Sequence, residues 1–224
     1  MPFKLFGGEK EPFDRIESQI QEMLGHNRYE FDLAMSALLG DVVAQAVNDD
    51  LRLNDRKVNR LEREIRRELV VHSSVAGAID TPDILVYMSV VKDIERIGDY
   101  AKNLLDLALD DADFGALPDA GDWRRLAVDI SQFIVDAGAA FRTRQHAQCR
   151  TLRTWGDQML ERFDLRVSAL VKGEDAGGQA VARALSYRYL KRVVAHLMNL
   201  LSAVVMPLDQ LDYYIQDPEK WTDR

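Results

Sequence analysis

Apolar residues recur at helical spacing along almost the whole chain. Val58, Leu61, Ile65 and Leu69 share one helical register, with Asp55 at its start. Read segment by segment, this period predicts six helices: Phe13 to Leu39, Asp41 to His72, Pro82 to Asp110, Trp123 to Arg144, Ala147 to Val171 and Ala180 to Tyr214. The breaks between them hold the glycines and prolines. Gly40-Asp41 marks a turn, Ser73 to Thr81 interrupts the second pattern, and Gly173 to Gly178 separates the last two helices. Pro82 suits the first turn of the third helix, with Thr81 as its expected cap. Residues 111 to 122 contain Gly115, Pro118 and Gly121 and form the best domain boundary. The expected organisation is a tail at 1–12, a first three-helix bundle at 13–112, a second at 119–216 and a tail at 217–224. Within the first tail, Phe3, Leu5 and Phe6 make a small apolar tip, either disordered or an anchor for a partner or a membrane surface.

The two halves repeat. Leu61-Glu62-Arg63 recurs as Leu160-Glu161-Arg162, and Asp93 to Leu105 aligns with Tyr189 to Leu201. Arg96, Asn103 and Leu104-Leu105 are kept as Arg192, Asn199 and Leu200-Leu201; Ile94 and Ile97 become Leu190 and Val193. The polar chemistry is not kept. Glu95 becomes Lys191, Gly98 becomes Val194, Asp99 becomes Ala195, and Asp55 aligns with Thr154. The fold class is all-α, with two tandem three-helix bundles of which the second is degenerate.

Composition narrows the function. A hydrophobic share of 47% and a charged share of 29% fit a globular chain of 224 residues. A formal net charge of −8 argues against nucleic-acid binding, which needs a dense basic patch. The single Cys149 excludes an intramolecular disulfide framework and fits a reducing cytoplasm. The opening Met1 to Gly8 lacks an apolar stretch of leader length, so no signal peptide is expected. The most apolar run, Leu197 to Leu208, is interrupted by Asn199, Ser202 and Pro207 and is too short to span a membrane. Attachment to a membrane is therefore expected to be peripheral at most.

The most informative stretch runs from Asp93 to Asn103. Glu95, Asp99 and Asn103 are spaced four apart and stack along one helix face. With Ile94 at the centre of the apolar seam, Gly98, Ala101, Leu105 and Ala108 fall beside it, and Lys92, Glu95, Asp99, Asn103 and Asp106 fall opposite. The expectation is an outward acidic row, either a wet surface or an oxygen-rich site for a hard cation or a partner. Two like charges at i,i+4 and a glycine inside a helix both work against stability, which suggests a compensating role. Close approach of a neighbouring helix is the simplest reason for Gly98.

Glu95-Arg96-Ile97-Gly98-Asp99, with Asn103 four residues on, resembles the signature of the PhoU family, regulators of bacterial phosphate uptake. Asn54-Asp55-Arg56-Lys57-Val58-Asn59, followed by Leu61-Glu62, resembles that family's second helix, and the resemblance covers roughly Phe13 to Leu109. It implies a non-enzymatic cytoplasmic regulator that restrains phosphate uptake or starvation signalling by binding a phosphate transporter component or a sensor histidine kinase. It also leaves room for a homodimer. In some members such motifs hold iron or zinc clusters. The implied metal set here is Glu95, Asp99, Asn103 and Asp55, with iron, zinc, magnesium or manganese as the ion. Members usually carry the acidic pair in both halves, and this chain departs from that. Two other readings stand beside it: an accessory subunit of a secondary phosphate or sodium-phosphate carrier, and a metal-dependent phosphoesterase using Glu95, Asp99 and Asp55.

Elsewhere the chemistry is sparse. The four histidines show neither His-x-x-x-His nor Glu-x-x-His pairing and receive no role. Arg142, Arg144, Arg150 and Arg153 surround Cys149, either as a solvated turn or as a docking patch for an acidic partner; if exposed, the thiol would feel these cations.

Overall fold

Long periodic segments with few breakers become six α-helices in the computed structural model, which describes residues 10–76, 80–174 and 178–211. They are α1 (Lys10–Leu38), α2 (Ala44–Ala76), α3 (Thr81–Leu109), α4 (Ala120–Thr143), α5 (His146–Lys172) and α6 (Ala180–Val205), followed by a single 3-10 turn, Leu208–Gln210. No strand occurs among the described residues. The tip at Phe3, Leu5 and Phe6 and the tail at 217–224 lie outside them.

Several ends differ from expectation for local reasons. α1 closes with Gly40 at φ +73°, the Gly40 N–H donating to Ala37 O and the Asp41 N–H to Ser36 O, so Asp41 to Val43 are turn and α2 begins at Ala44. α2 does not stop at His72. The Ser73 and Ser74 hydroxyls donate to the Val70 carbonyl at 2.7 and 3.1 Å, turning two expected breakers back into the helix. Thr81 is the first helical residue of α3, not its cap; Asp80 holds the cap position, and Pro82 sits in the first turn as expected. α4 starts at Ala120, ahead of Trp123. α6 ends at Val205 rather than near Tyr214, because Pro207 holds Met206 extended at φ −109°, ψ 151°; residues 212–214 lie outside the described residues.

The two halves pack side by side. α3 is central, touching α1, α2 and α6, while α1 also meets α4, and α6 also meets α4 and α5. α2 and α5 therefore form the outer edges. A single apolar core runs through both halves, from Ile20 and Phe31 to Leu197 and Leu201. Tyr87 stacks on Phe13 at 5.5 Å and meets Phe141 of α4 edge-on at 6.4 Å. The expected boundary at 111–122 is packed down. Phe114 is fully buried against Trp123, ring centroids 4.4 Å apart, and its N–H donates to Leu38 O at 2.7 Å. Gly115 passes so close to the Leu39 carbonyl that no Cβ fits there.

Candidate functional site: a polar spine in the first three helices

The apolar seam of α1 is broken twice. Ile16, Ile20 and Met23 are followed in register by Asn27 and Glu30 before Phe31, Ala34 and Leu38 resume it, and both polar residues are fully buried. Asn27 Nδ2 donates to the Ile94 carbonyl of α3 at 2.6 Å. Asn54 Nδ2 of α2 donates to Glu30 Oε1 at 2.9 Å and to His26 O at 3.0 Å. Glu30 Oε2 and Asn27 Oδ1 have no hydrogen-bond partner among the described residues.

Those two oxygens meet at Gly98. A Cβ on residue 98 would stand 2.8 Å from Glu30 Oε2 and 3.0 Å from Asn27 Oδ1. The glycine of Glu-Arg-Ile-Gly-Asp thus makes room for two polar side chains of α1. Burial pushes the Glu30 carboxyl up to about 8, and the Asp55 and Asp99 carboxylates add to this; the Asn54 hydrogen bond and the Lys102 ammonium oppose it. At neutral pH Glu30 carries a proton, which removes its charge and supplies the donor that the two oxygens lack.

Around this buried acid, α2 and α3 are clasped by cations. Lys92 Nζ lies 2.6 Å from Glu95 Oε2 and 4.0 Å from Glu62 Oε1 of α2. Lys102 Nζ lies 2.7 Å from Asp55 Oδ1 of α2 and 2.9 Å from Asp99 Oδ1. Arg52 of α2 reaches Asp106 Oδ1 at 2.8 Å. Burial alone would lower the Lys102 ammonium, but its two carboxylates hold it above the usual lysine value.

The acidic row is therefore not the outward ridge expected from periodicity. It lies along the groove between α2 and α3 and rises toward solvent, with side-chain exposure of 11% at Glu95, 37% at Asp99 and 50% at Asp106. The polar side of α3 faces the polar side of α2, a distinction that helical period cannot make. Of the four residues in the expected metal set, Asp55 and Asp99 come together, but around Lys102. Glu95 is held one rung away by Lys92, and Asn103 sits half-buried beyond. No three His, Cys, Asp or Glu side chains among the described residues are grouped so as to hold a metal ion. As arranged, the donors do not fit an iron, zinc, magnesium or manganese centre, since an ammonium stands between the two carboxylates.

α3 also reaches across to the second half. Asp93 Oδ1 lies 2.6 Å from His196 Nδ1 and accepts from Asn199 Nδ2 at 3.0 Å; Tyr100 stacks on His196 with ring centroids 5.8 Å apart. His72 is likewise held, 2.8 Å from Asp80. Neither histidine had a local signal, because each partner lies in a different element or turn. In the second half the equivalent rung is inverted: Lys191, aligned with Glu95, pairs with Asp164 of α5. Val194 stands fully buried where Gly98 stands in the first half, so the polar spine has no counterpart there.

The basic stretch near the α4–α5 turn dissolves on inspection. Arg144 turns inward to Glu17 and the Tyr87 hydroxyl, and Arg153 is buried, which leaves Arg142 and Arg150 exposed. Cys149 is fully buried, and burial pushes its thiol up to about 11 despite the nearby arginines.

Residues 20–108 match the PhoU domain family model. The matched stretch spans most of the first three helices and 89 of the chain's 224 residues. The structure resembles PhoU from Pseudomonas aeruginosa with a TM-score of 0.77 at 20% identity, over 88% of this chain and 96% of that one. It resembles the phosphate transport system regulatory protein PhoU from Streptococcus pneumoniae with a TM-score of 0.69 at 16% identity, again over 88% and 96%. The similarity to both structures thus extends through α4 to α6, beyond the stretch that the PhoU domain model matches. No individual curated protein matches the chain significantly.

Proposed function

We propose that the protein is a non-enzymatic regulator of phosphate homeostasis that restrains phosphate uptake or starvation signalling when phosphate is ample. The observation that carries this reading is the PhoU domain match over 20–108, whose last helix bears Glu95-Arg96-Ile97-Gly98-Asp99. The proposed partners are a phosphate transporter component or a sensor histidine kinase, met at the cytoplasmic side of the membrane. No described helix is long and apolar enough to cross a bilayer, which agrees with contact from outside it.

In this reading the Lys102 bridge replaces a bound metal ion, and the protein acts through shape and charge. The face offered to a partner is the wet margin of α3, where Arg96, Asp99, Asn103 and Asp106 emerge beside α2. The sunken residues Glu30, Asn27 and Gly98 hold that margin in position. The test is a pull-down from cells grown at high phosphate, read by mass spectrometry, with an Asp99→Arg variant in parallel. Transporter or kinase components retained by the wild type and lost with Asp99→Arg support the proposal. Recovery of neither component with the wild type overturns it.

A further inference from the structure

The outermost face of α2 carries a line of cations that the polar spine does not use. At 100° per residue, Arg56, Arg60, Arg63 and Arg67 fall within an arc of about 60°, with Lys57 about 60° to one side, and they extend over roughly 17 Å. All five are exposed. Arg60 reaches its nearest carboxylate, Glu64, only at 3.9 Å, and the Arg63 Nε donates to the Asn59 carbonyl of its own helix. Arg56, Lys57, Arg63 and Arg67 form no ion pair among the described residues. Some exposed arginines elsewhere do find carboxylates, as Arg52 does with Asp106, Arg124 with Asp41 and Arg125 with Asp122, while Arg142, Arg150, Arg162, Arg166 and Arg192 stand apart and form no comparable line on one helix face.

This line is costly where it stands. Like charges three and four residues apart repel on a helix, and Glu64 is the only acid within the stripe. The chain has 37 acidic residues against 29 basic ones, so the surplus on this edge is local. The same face is continued by aliphatic side chains left in water: Leu53 is 49% exposed, Val71 58% and Val75 83%.

We propose that the outer ridge of α2 docks the protein on an anionic phospholipid surface. Charge complementarity sets the sign of the partner. Shape sets its class: the ridge is the convex back of an edge helix, where long cationic side chains are flanked by aliphatic ones. A headgroup layer accepts cations at any lateral spacing and takes aliphatic side chains into its upper margin. The docking reading stands on these residues alone and does not require the phosphate-regulator proposal.

The experiment is vesicle flotation of the full-length protein with phosphatidylcholine alone and with added phosphatidylglycerol. Binding is expected only with phosphatidylglycerol and should weaken as salt rises. Arg60→Gln should lower the partition coefficient about fivefold, and Glu64→Gln should raise it about fivefold, as expected for one charge near a membrane surface. An Arg56→Glu/Arg63→Glu/Arg67→Glu variant with the wild-type circular dichroism spectrum and melting curve should not float. Equal binding to neutral vesicles, no binding by the wild type, or undiminished binding by the triple variant overturns the proposal. Retention on immobilised polyglutamate without flotation also overturns it, in favour of an acidic protein partner.

Discussion

The Glu30 carboxyl of α1 occupies the space that a side chain at Gly98 of α3 would fill, with Oε2 2.8 Å from where a Cβ would stand. This pairing explains the glycine within the signature stretch. It also gives the first bundle a buried acid whose charge state is tied to pH.

Gly98→Ala should therefore destabilise the protein even though alanine is the better helix former. The new methyl collides with two side chains tethered by Asn54 and by the Ile94 carbonyl. Overpacking costs about 1–3 kcal/mol, against about 1 kcal/mol gained in helix propensity. Urea unfolding at pH 7 checks this. A stabilised Gly98→Ala, or one whose loss is not relieved by adding Glu30→Ala, would show that the cradle is not tight.

The pH dependence follows from Glu30. Its carboxyl stands at about 8 in the folded protein against an ordinary value of 4.5. The folded state therefore binds the proton more tightly than the unfolded chain. The resulting stability is full below 4.5 and is lost as pH rises toward 8, a swing on the order of 5 kcal/mol. Asp83, pushed up to about 6 by burial and by Asp80, adds a smaller loss in the same direction over the acidic part of that window. Glu30→Gln keeps the shape without the titration, so its stability relative to wild type should grow from pH 5 to about pH 8 and level off above it. Parallel profiles for the two proteins would refute the assignment.

Lys102 is the counter-cation for two carboxylates. Lys102→Met leaves Asp55 and Asp99 facing one another and should cost about 2 kcal/mol, between the values for exposed and buried pairs. The emptied position is then one that a divalent cation can take. Added magnesium or calcium should raise the melting temperature of Lys102→Met while leaving the wild type unchanged. A wild-type melting temperature that rises with metal would contradict the fit described above.

The Asp93–His196 link joins the two halves. Asp93→Ala removes one acceptor from both His196 and Asn199 and should cost about 1–2 kcal/mol. Hydrogen exchange should rise along the facing stretches of α3 and α6 before it rises in α2 or α5. Uniform acceleration across all six helices would argue against a local link.

Cys149 should be chemically silent in the native state. Its thiol is buried and pushed up to about 11, so a thiol reagent at pH 8 should react only at the rate of unfolding. Rapid native-state labelling would place the residue at the surface.

The helices were legible because apolar spacing reports directly on which face is buried, and in five of the six both ends lie within four residues of expectation. The exception is the end of α6, where apolar content continues past Pro207 but the proline holds Met206 extended. The direction of the acidic row was not legible. A polar strip opposite Ile94 has the same period whether it meets water or the polar flank of α2. Glu30 did leave a trace, as a carboxylate standing in the seam of Ile16, Ile20 and Met23, but that signal lies in a different helix from the motif. The Asp93–His196 link left none, since 103 residues separate the pair.

The shared core has a consequence for how such a gene changes. The trailing half has Lys191 and Ala195 where the leading one has Glu95 and Asp99, yet α4 and α6 furnish a wall against which α1 and α3 close. Deleting that half would strip Phe141 from Tyr87 and Trp123 from Phe114. The trailing half can therefore differ from the leading one in its polar chemistry, but its bulk is needed where the two halves meet.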